Sequence, residues 1–229
     1  MKKMIAIICV LLVIFIGMNI YQRVEIQNKK ITADEVAKIE EYIDKIYLWK
    51  EITGQALPAF NNINDAPEDW VWENAKKNLE EYELSYEQIE EKAKELFGNS
   101  LTKQFPKDGT DYLVYDNQSE KYLATDIELD NEQDSFLINK IQKEKDIYTV
   151  DIVEYLKDYS QVTQDEEGNE QGNIGIKNLQ EELVTQVAST ESETKIIEII
   201  KENSDKFNKK TLTIQKGEND RLYLLKVEE

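Results

Sequence analysis

The chain has 229 residues, and its 28 Lys and Arg against 47 Asp and Glu give a formal net charge of -19. A charge of this sign repels nucleic-acid phosphates, so we expect no nucleic-acid partner. The sequence has no histidine and a single cysteine, Cys9, which excludes Ser-His-Asp and Cys-His catalysis, HExxH zinc sites and cysteine metal sites. Carboxylate, Lys, Tyr or Ser chemistry remains possible, and so does a protein without catalysis.

The first 22 residues, MKKMIAIICVLLVIFIGMNIYQ, predict a membrane segment. Two lysines precede an apolar run over residues 4–20, which is at the lower limit of what crosses a hydrocarbon core of about 30 Å. No small-x-small pair follows the run, so cleavage is not expected. Cys9 lies too close to Lys3 to follow a full apolar segment, as a lipoprotein signal would require. We predict a transmembrane signal-anchor over residues 1–22, with a cleaved export signal as second and a lipoprotein as third alternative.

The orientation of this anchor follows from two features. Basic residues flank the apolar run on both sides, so their count does not decide which end of the anchor is cytoplasmic. A short charged tail before the first apolar segment is typical of export signals, and residues 23–229 contain no cysteine, which suits a compartment outside the reducing cytosol. We expect a single-pass protein of the cell membrane, with its N-terminus cytoplasmic, a stalk at residues 23–31 and an extracellular domain.

Residues 32–98 have helical spacing in three segments. Thr32 and Glu35 have the spacing of a capping box, and an apolar stripe follows them. Asp65 and Glu68 suggest a second box, with a stripe that continues to Tyr82. The third start, in LSYEQI, combines a capping-box spacing with a hydrophobic staple, and a glycine follows the end of its stripe.

After this point the pattern alternates, as in strands. DYLVYDNQSEKYLATDIEL predicts one hairpin, SFLINKIQ-KEKD-IYTVDIVEYL a second and TLTIQKGENDRLYLLKVE a third. Between the last two hairpins, NIGIKN is a strand candidate, LQEELVTQVA is ambiguous, and Thr190 and Glu193 are expected to cap a final helix. One face of the second hairpin is more apolar, so we expect a half-solvated antiparallel sheet.

Residues 161–173, QVTQDEEGNEQGN, are the best candidate for an exposed loop or boundary. Asp165, Glu167 and Gly168 resemble part of a calcium loop, but that register places Ile174 where the bidentate Glu belongs. The alternative is a solvated hairpin tip. We therefore assign no metal, cofactor or catalytic residue.

These elements predict an α+β fold in which an N-terminal transmembrane helix precedes helices packed on one face of an antiparallel sheet with three hairpins. The domain boundaries are 1–22 for the anchor, 23–31 for the stalk, 32–160 for an α+β domain, 161–173 for the acidic loop and 174–229 for a C-terminal helix and hairpin on the same domain.

The layout, with its SYEQIEEKAKELFG helix and DRLYLLKVE ending, resembles uncharacterised membrane-anchored extracytoplasmic proteins of Gram-positive bacteria with an NTF2-like or cystatin-like α+β domain. The resemblance implies a curved sheet wrapped on helices, a scaffold that more often binds or dimerises than catalyses. A sheet interrupted by a loop and another helix departs from that pattern.

Trp70 and Trp72, in EDWVWENA, are the candidate ligand or partner surface. They lie about 200° apart on a helix, so one of them is a candidate for an exposed aromatic platform; the alternative is that both pack in the interior. Together these features predict a membrane-anchored binding or assembly module with a protein or cell-wall glycan partner. The alternatives are a glycan-acting enzyme with a carboxylate pair and a subunit of a larger membrane complex.

Overall fold

The computed structural model describes residues 25–26, 31–48, 50–125, 132–165, 167 and 169–229. The predicted anchor at residues 1–22 lies outside these ranges, as does most of the predicted stalk. In the described ranges, no helix has the length and apolar character that a membrane crossing requires.

The α+β class is confirmed. In the described part of the chain, four helices have ten or more residues, namely α1 (Ala33–Ile46), α3 (Glu68–Lys77), α4 (Tyr86–Phe97) and α5 (Glu193–Glu202), and the one-turn α2 (Lys50–Thr53) follows α1. The strands are β1 (Glu25–Ile26), β2 (Glu83–Leu84), β3 (Gly109–Thr110), β4 (Leu113–Asp116), β5 (Lys121–Ala124), β6 (Glu132–Glu144), β7 (Ile147–Asp158), β8 (Val162–Gln164), β9 (Glu170–Lys177), β10 (Leu183–Ala188), β11 (Asn208–Lys216) and β12 (Leu222–Glu228).

The strands form two sheets. The large sheet has the order β1-β6-β7-β11-β12, and β9 joins it through the end of β7 while also pairing with β8 and β10. The pairs are antiparallel except for β1 and β6, which run parallel. The small sheet has the order β2-β5-β4-β3. All three predicted hairpins are present, but the first belongs to the small sheet because β5 pairs with β2, the strand just before α4.

Helices cover both faces of the large sheet, which corrects the expectation that they pack on one face. A first core contains α1, α3, α4, the small sheet and residues such as Val150 and Ile152 of β7. A second core contains α5 with Val153 and Tyr155 of the same strand. Because successive strand residues point to opposite faces, the two cores lie on opposite sides of β7. The expected half-solvated alternation therefore stops at Ile152, and every residue from there to Leu156 is buried.

The predicted capping boxes are confirmed at α1 and α4 and wrong at α3. The side chains of Thr32 and Ser85 each accept a hydrogen bond from the backbone N–H three residues on. The side chains of Glu35 and Gln88 in turn accept one from the backbone N–H of the capping residue. Helix α3 instead begins after Pro67, without a side-chain cap. Asp65, the acidic residue predicted to cap this helix, lies instead in a 3-10 turn over Ile63–Asp65. Helix α3 ends at Lys77, so the predicted apolar stripe, which continues to Tyr82, extends past the end of the helix.

Of the predicted loop at 161–173, the described residues form an antiparallel pair between β8 and the start of β9, in which Val162 lies opposite Gly172. The Asp165 carboxylate accepts hydrogen bonds from the backbone N–H groups of Glu167 and Asn169. Gly168 lies outside the described residues. The ambiguous LQEELVTQVA segment contains β10, which pairs with β9.

The cap of α5 yields a stability prediction. Its N-cap is Ser192, whose hydroxyl accepts from the Lys195 N–H at 3.3 Å, and not the expected Thr190. Ser192→Ala should lower the free energy of unfolding by about 1 kcal/mol, because it leaves a helix N–H without its acceptor. The matched control Thr190→Ala should change it by less than about 0.5 kcal/mol. Urea unfolding followed by tryptophan fluorescence measures both; equal losses would contradict the assignment.

Candidate functional site

A groove runs between helix α1 and the turn that joins β11 to β12, and we call it the α1 groove. It consists of two adjoining pockets of about 320 and 200 Å³. Lys38, Asp220 and Leu222 line both pockets and divide them. Ile39, Tyr42 and Leu96 add to the apolar part of the lining.

Glu35 organises the larger pocket. One carboxylate oxygen accepts from the Thr32 N–H at 3.0 Å, which closes the capping box of α1. The other accepts from the Lys143 ammonium at 2.5 Å and from the Tyr148 hydroxyl at 2.8 Å. The helix start is thereby joined to both strands of the β6–β7 hairpin.

These contacts set the protonation state of Glu35. Burial by itself raises the pKa of this carboxyl, but the hydrogen bonds from Lys143, Thr32 and Tyr148 outweigh it and lower the pKa to about 2. Burial and the neighbouring carboxylate raise the pKa of the Tyr148 hydroxyl. At neutral pH, Glu35 is therefore ionised and Tyr148 is protonated.

The β11–β12 turn places charged groups along the rim. Asn219 and Asp220 have φ angles of 57° and 62°, the left-handed region that non-glycine residues seldom adopt. The Asp220 carboxylate pairs with Lys216 at 2.7 Å and with Lys38 of α1 at 3.6 Å. The turn and the helix are therefore linked across the groove by an ion pair.

Arg221 extends from the same turn into the smaller pocket. It is exposed, and the sequence has only one other arginine, Arg23. Hydrogen bonding to Lys92 is the main cause that lowers the pKa of the nearby Glu95 carboxyl, and the positive charge of Arg221 lowers it further. Arginine combines a fixed charge with a planar fork of donors, which makes it a common anchor in binding surfaces.

A second polar cluster lies inside the large sheet, beneath α2. Glu154 of β7 is fully buried, and its carboxylate lies 3.5 Å from the Lys210 ammonium of β11. The Lys210 ammonium also donates to the Leu57 carbonyl, and Asp134 of β6 accepts from the Lys50 N–H. Burial raises the pKa of the Glu154 carboxyl. These side chains tie residues 50–57 to the sheet, and neither pocket of the α1 groove reaches them.

Trp70 and Trp72 are both fully buried, so neither is the exposed aromatic platform that the sequence suggested. The Trp70 indole donates to the Ala56 carbonyl at 3.0 Å, and the Trp72 ring meets Phe105 edge-on at 5.3 Å between centroids. Six consecutive residues of α3, Trp70 to Ala75, are buried. A helix covered on all sides can bury two indoles that point in opposite directions.

Sequence reasoning also overlooked a Ser-x-x-Lys spacing at Ser192 and Lys195, a spacing that some serine hydrolases use. Here Ser192 caps α5, and the Lys195 ammonium lies 3.4 Å from a carboxylate oxygen of Glu198. The lysine amine therefore faces away from the hydroxyl. The α1 groove was missed for another reason: its residues come from four distant segments that no spacing relates.

Comparison with known proteins adds no relative: no family model, curated protein or solved structure matches the chain.

The state of Glu35 predicts how stability depends on pH. Its folded pKa of about 2 lies below the ordinary value of 4.5, so its stabilisation is complete above about pH 5 and is lost as the pH falls towards 2. At neutral pH it amounts to at most about 3.5 kcal/mol, since one pKa unit corresponds to about 1.4 kcal/mol. Glu35→Gln keeps a capping-box acceptor but removes the charge. The free energy of unfolding of this variant should therefore fall less steeply than that of the wild type as the pH is lowered.

Urea unfolding at a series of pH values measures this slope. Glu198→Gln, a change at an exposed residue of α5 outside the groove, is the matched control and should follow the wild-type slope. If Glu35→Gln also follows the wild-type slope, the network does not hold Glu35 in its charged form.

Proposed function

We propose that the protein is a binding or assembly module, anchored in the cell membrane by residues 1–22, whose α1 groove contacts a protein partner on the extracellular side. The observation that carries this proposal is the α1 groove itself, with apolar and charged residues in its lining, an ion pair across it and an exposed arginine. The anchor, the orientation and the partner are all part of the proposal.

The charge of the groove favours a polypeptide as the partner. Its lining includes Lys38, Lys45, Lys216 and Arg221 against Asp34, Glu35, Glu41, Glu95 and Asp220. The two signs nearly balance there, whereas the whole chain has a large acidic excess. A surface that alternates in sign over an apolar lining matches another protein surface better than a polyanion or a polycation.

The same lining is a poor fit to the alternative of a glycan-acting enzyme. Such an enzyme needs one carboxylic acid whose pKa is raised, so that it can donate a proton. Hydrogen bonds to lysines hold the pKa of Glu41, Glu95 and Asp220 below its ordinary value, as the network does for Glu35. Glu73 and Glu154, whose pKa burial raises, are both buried outside the groove. These states favour binding over acid catalysis.

Site-specific photo-crosslinking in cells tests the groove. A benzoylphenylalanine in place of Lys45, which lines the smaller pocket, should give a discrete protein adduct on irradiation. The same residue in place of Glu198, exposed on α5, should not. Adding Arg221→Glu should reduce the adduct formed at position 45 about tenfold or more, as expected when the charge of an interface arginine is reversed.

Lys195→Glu is the matched control for that change, because it alters the charge by the same amount at an exposed position of α5. It should leave the adduct unchanged. Adducts of equal yield from Lys45 and Glu198, or an equal effect of the two charge changes, would contradict the α1 groove as the contact surface.

Cysteine labelling tests the orientation independently. Cys9→Ser removes the single thiol of the chain, and Ser160→Cys then places one in the exposed turn after β7. A membrane-impermeant maleimide should label this cysteine in intact cells. Labelling only after lysis would contradict the extracellular placement, and labelling of a soluble fraction would contradict the anchor.

A further inference from the structure

Strand β10 is an open edge of the large sheet. It pairs with β9 on one side, and no other strand of the described residues pairs with it on the other. Its sequence, LVTQVA, has no charged residue, although a third of the chain is charged. Proteins usually protect such edges with lysine, proline or a covering element, because unpaired backbone groups there recruit other strands.

The register shows which backbone groups of β10 are open. Ser189, one residue past the strand, donates to the Gly172 carbonyl at 3.0 Å. In an antiparallel pair the hydrogen-bonded positions alternate, so Val187 and Thr185 direct their backbone groups at β9. Gln186, between them, directs its N–H and carbonyl away from the sheet. A register shift lies between Leu183 and Thr185, so the regular part of the edge follows it.

The residues around β10 define the charge of its partner. Glu182 precedes the strand and Glu191 follows it, and both are exposed. Their neighbours Glu181 and Glu193 form ion pairs with Lys50 and Lys157. For Glu182 and Glu191 no cation lies within ion-pair distance among the described residues, so an uncharged edge is flanked by an unneutralised acid at each end.

This pattern disfavours pairing of β10 with a second copy of the chain. In an antiparallel pair centred on Gln186, Glu182 of one copy would approach Glu191 of the other, and both copies carry a net charge of -19. Like charges placed opposite each other across a strand pair are destabilising. A partner strand with basic residues at both ends would instead place a positive charge beside Glu182 and another beside Glu191.

We propose that β10 accepts, by β-strand addition, an extended peptide segment with an uncharged β-branched centre and Lys or Arg on both sides. Backbone hydrogen bonds to Gln186 supply the pairing, and Glu182 and Glu191 select the flanking charges. This surface is separate from the α1 groove, and the inference does not rest on the function proposed for that groove.

Fluorescence anisotropy with synthetic peptides tests the inference on the full chain in nanodiscs. The probe is KKVTVTVKK, and the two control peptides are EEVTVTVEE and the probe with N-methyl groups on both threonines and on the valine between them. These methyl groups keep the charge but remove backbone donors from both edges of the peptide. Only the first should bind. Gln186→Pro removes the outward N–H without removing a bond to β9 and should weaken binding about tenfold, the effect of about 1.4 kcal/mol.

Gln186→Ala keeps the backbone donor and should bind as the wild type does. Glu191→Lys should weaken the lysine-flanked probe several-fold, and Arg221→Glu in the α1 groove should have no effect. Equal binding of the N-methylated probe would overturn strand addition and leave only attraction to an acidic surface. Equal binding of EEVTVTVEE would overturn the charge selection. Dimerisation of the wild type that Gln186→Pro abolishes would show that a second copy occupies the edge.

If circular dichroism shows that Gln186→Pro does not fold, binding of the N-methylated probe to the wild-type protein tests the backbone pairing in its place.

Discussion

The fold depends on one strand that is covered on both faces. Strand β7 pairs with β6, β11 and β9, and from Ile152 to Leu156 it has core on each side. A carboxylate in that stretch can stay charged only with a partner, and Lys210 on β11 provides one for Glu154 at 3.5 Å. Separating a buried ion pair leaves an uncompensated charge in the interior, so this pair disfavours any register of β7 and β11 that parts the two side chains.

The α1 groove is a consequence of that register. Pairing of Tyr148 with Ile214 brings the turn of the β6–β7 hairpin beside the turn of β11–β12, and the Lys216 N–H donates to the Asp146 carbonyl at 2.7 Å. Helix α1 then closes the groove through Glu35, which contacts β6 and β7 while it caps its own helix. Main-chain pairing thus positions the rim formed by the β11–β12 turn, and side-chain contacts position the rim formed by α1, so the groove is a preformed site.

Features of local origin could be predicted from the sequence, and features of long range could not. The capping boxes at Thr32 and Ser85 and the three hairpins depend on spacings of a few residues. The burial of both Trp70 and Trp72 depends on cover from all sides of α3, and the packing of α5 on the second face depends on the burial of Val153 and Tyr155 of β7. Glu35 was identified as a capping residue, but its contact with Lys143 spans 108 positions, and no local pattern indicates it.

The distribution of charge distinguishes the two surfaces more clearly than their shape does. An overall charge of -19 repels any polyanion before contact, so a partner must be neutral, mixed or basic on the side that approaches. At the α1 groove the lysines and Arg221 offset the acids locally, which admits a partner surface of mixed sign. At β10 no cation of the described residues lies within ion-pair distance of Glu182 or Glu191, so the same long-range field that disfavours an acidic strand would favour a basic one. Two partners of different charge can therefore approach one acidic domain without competing for the same surface.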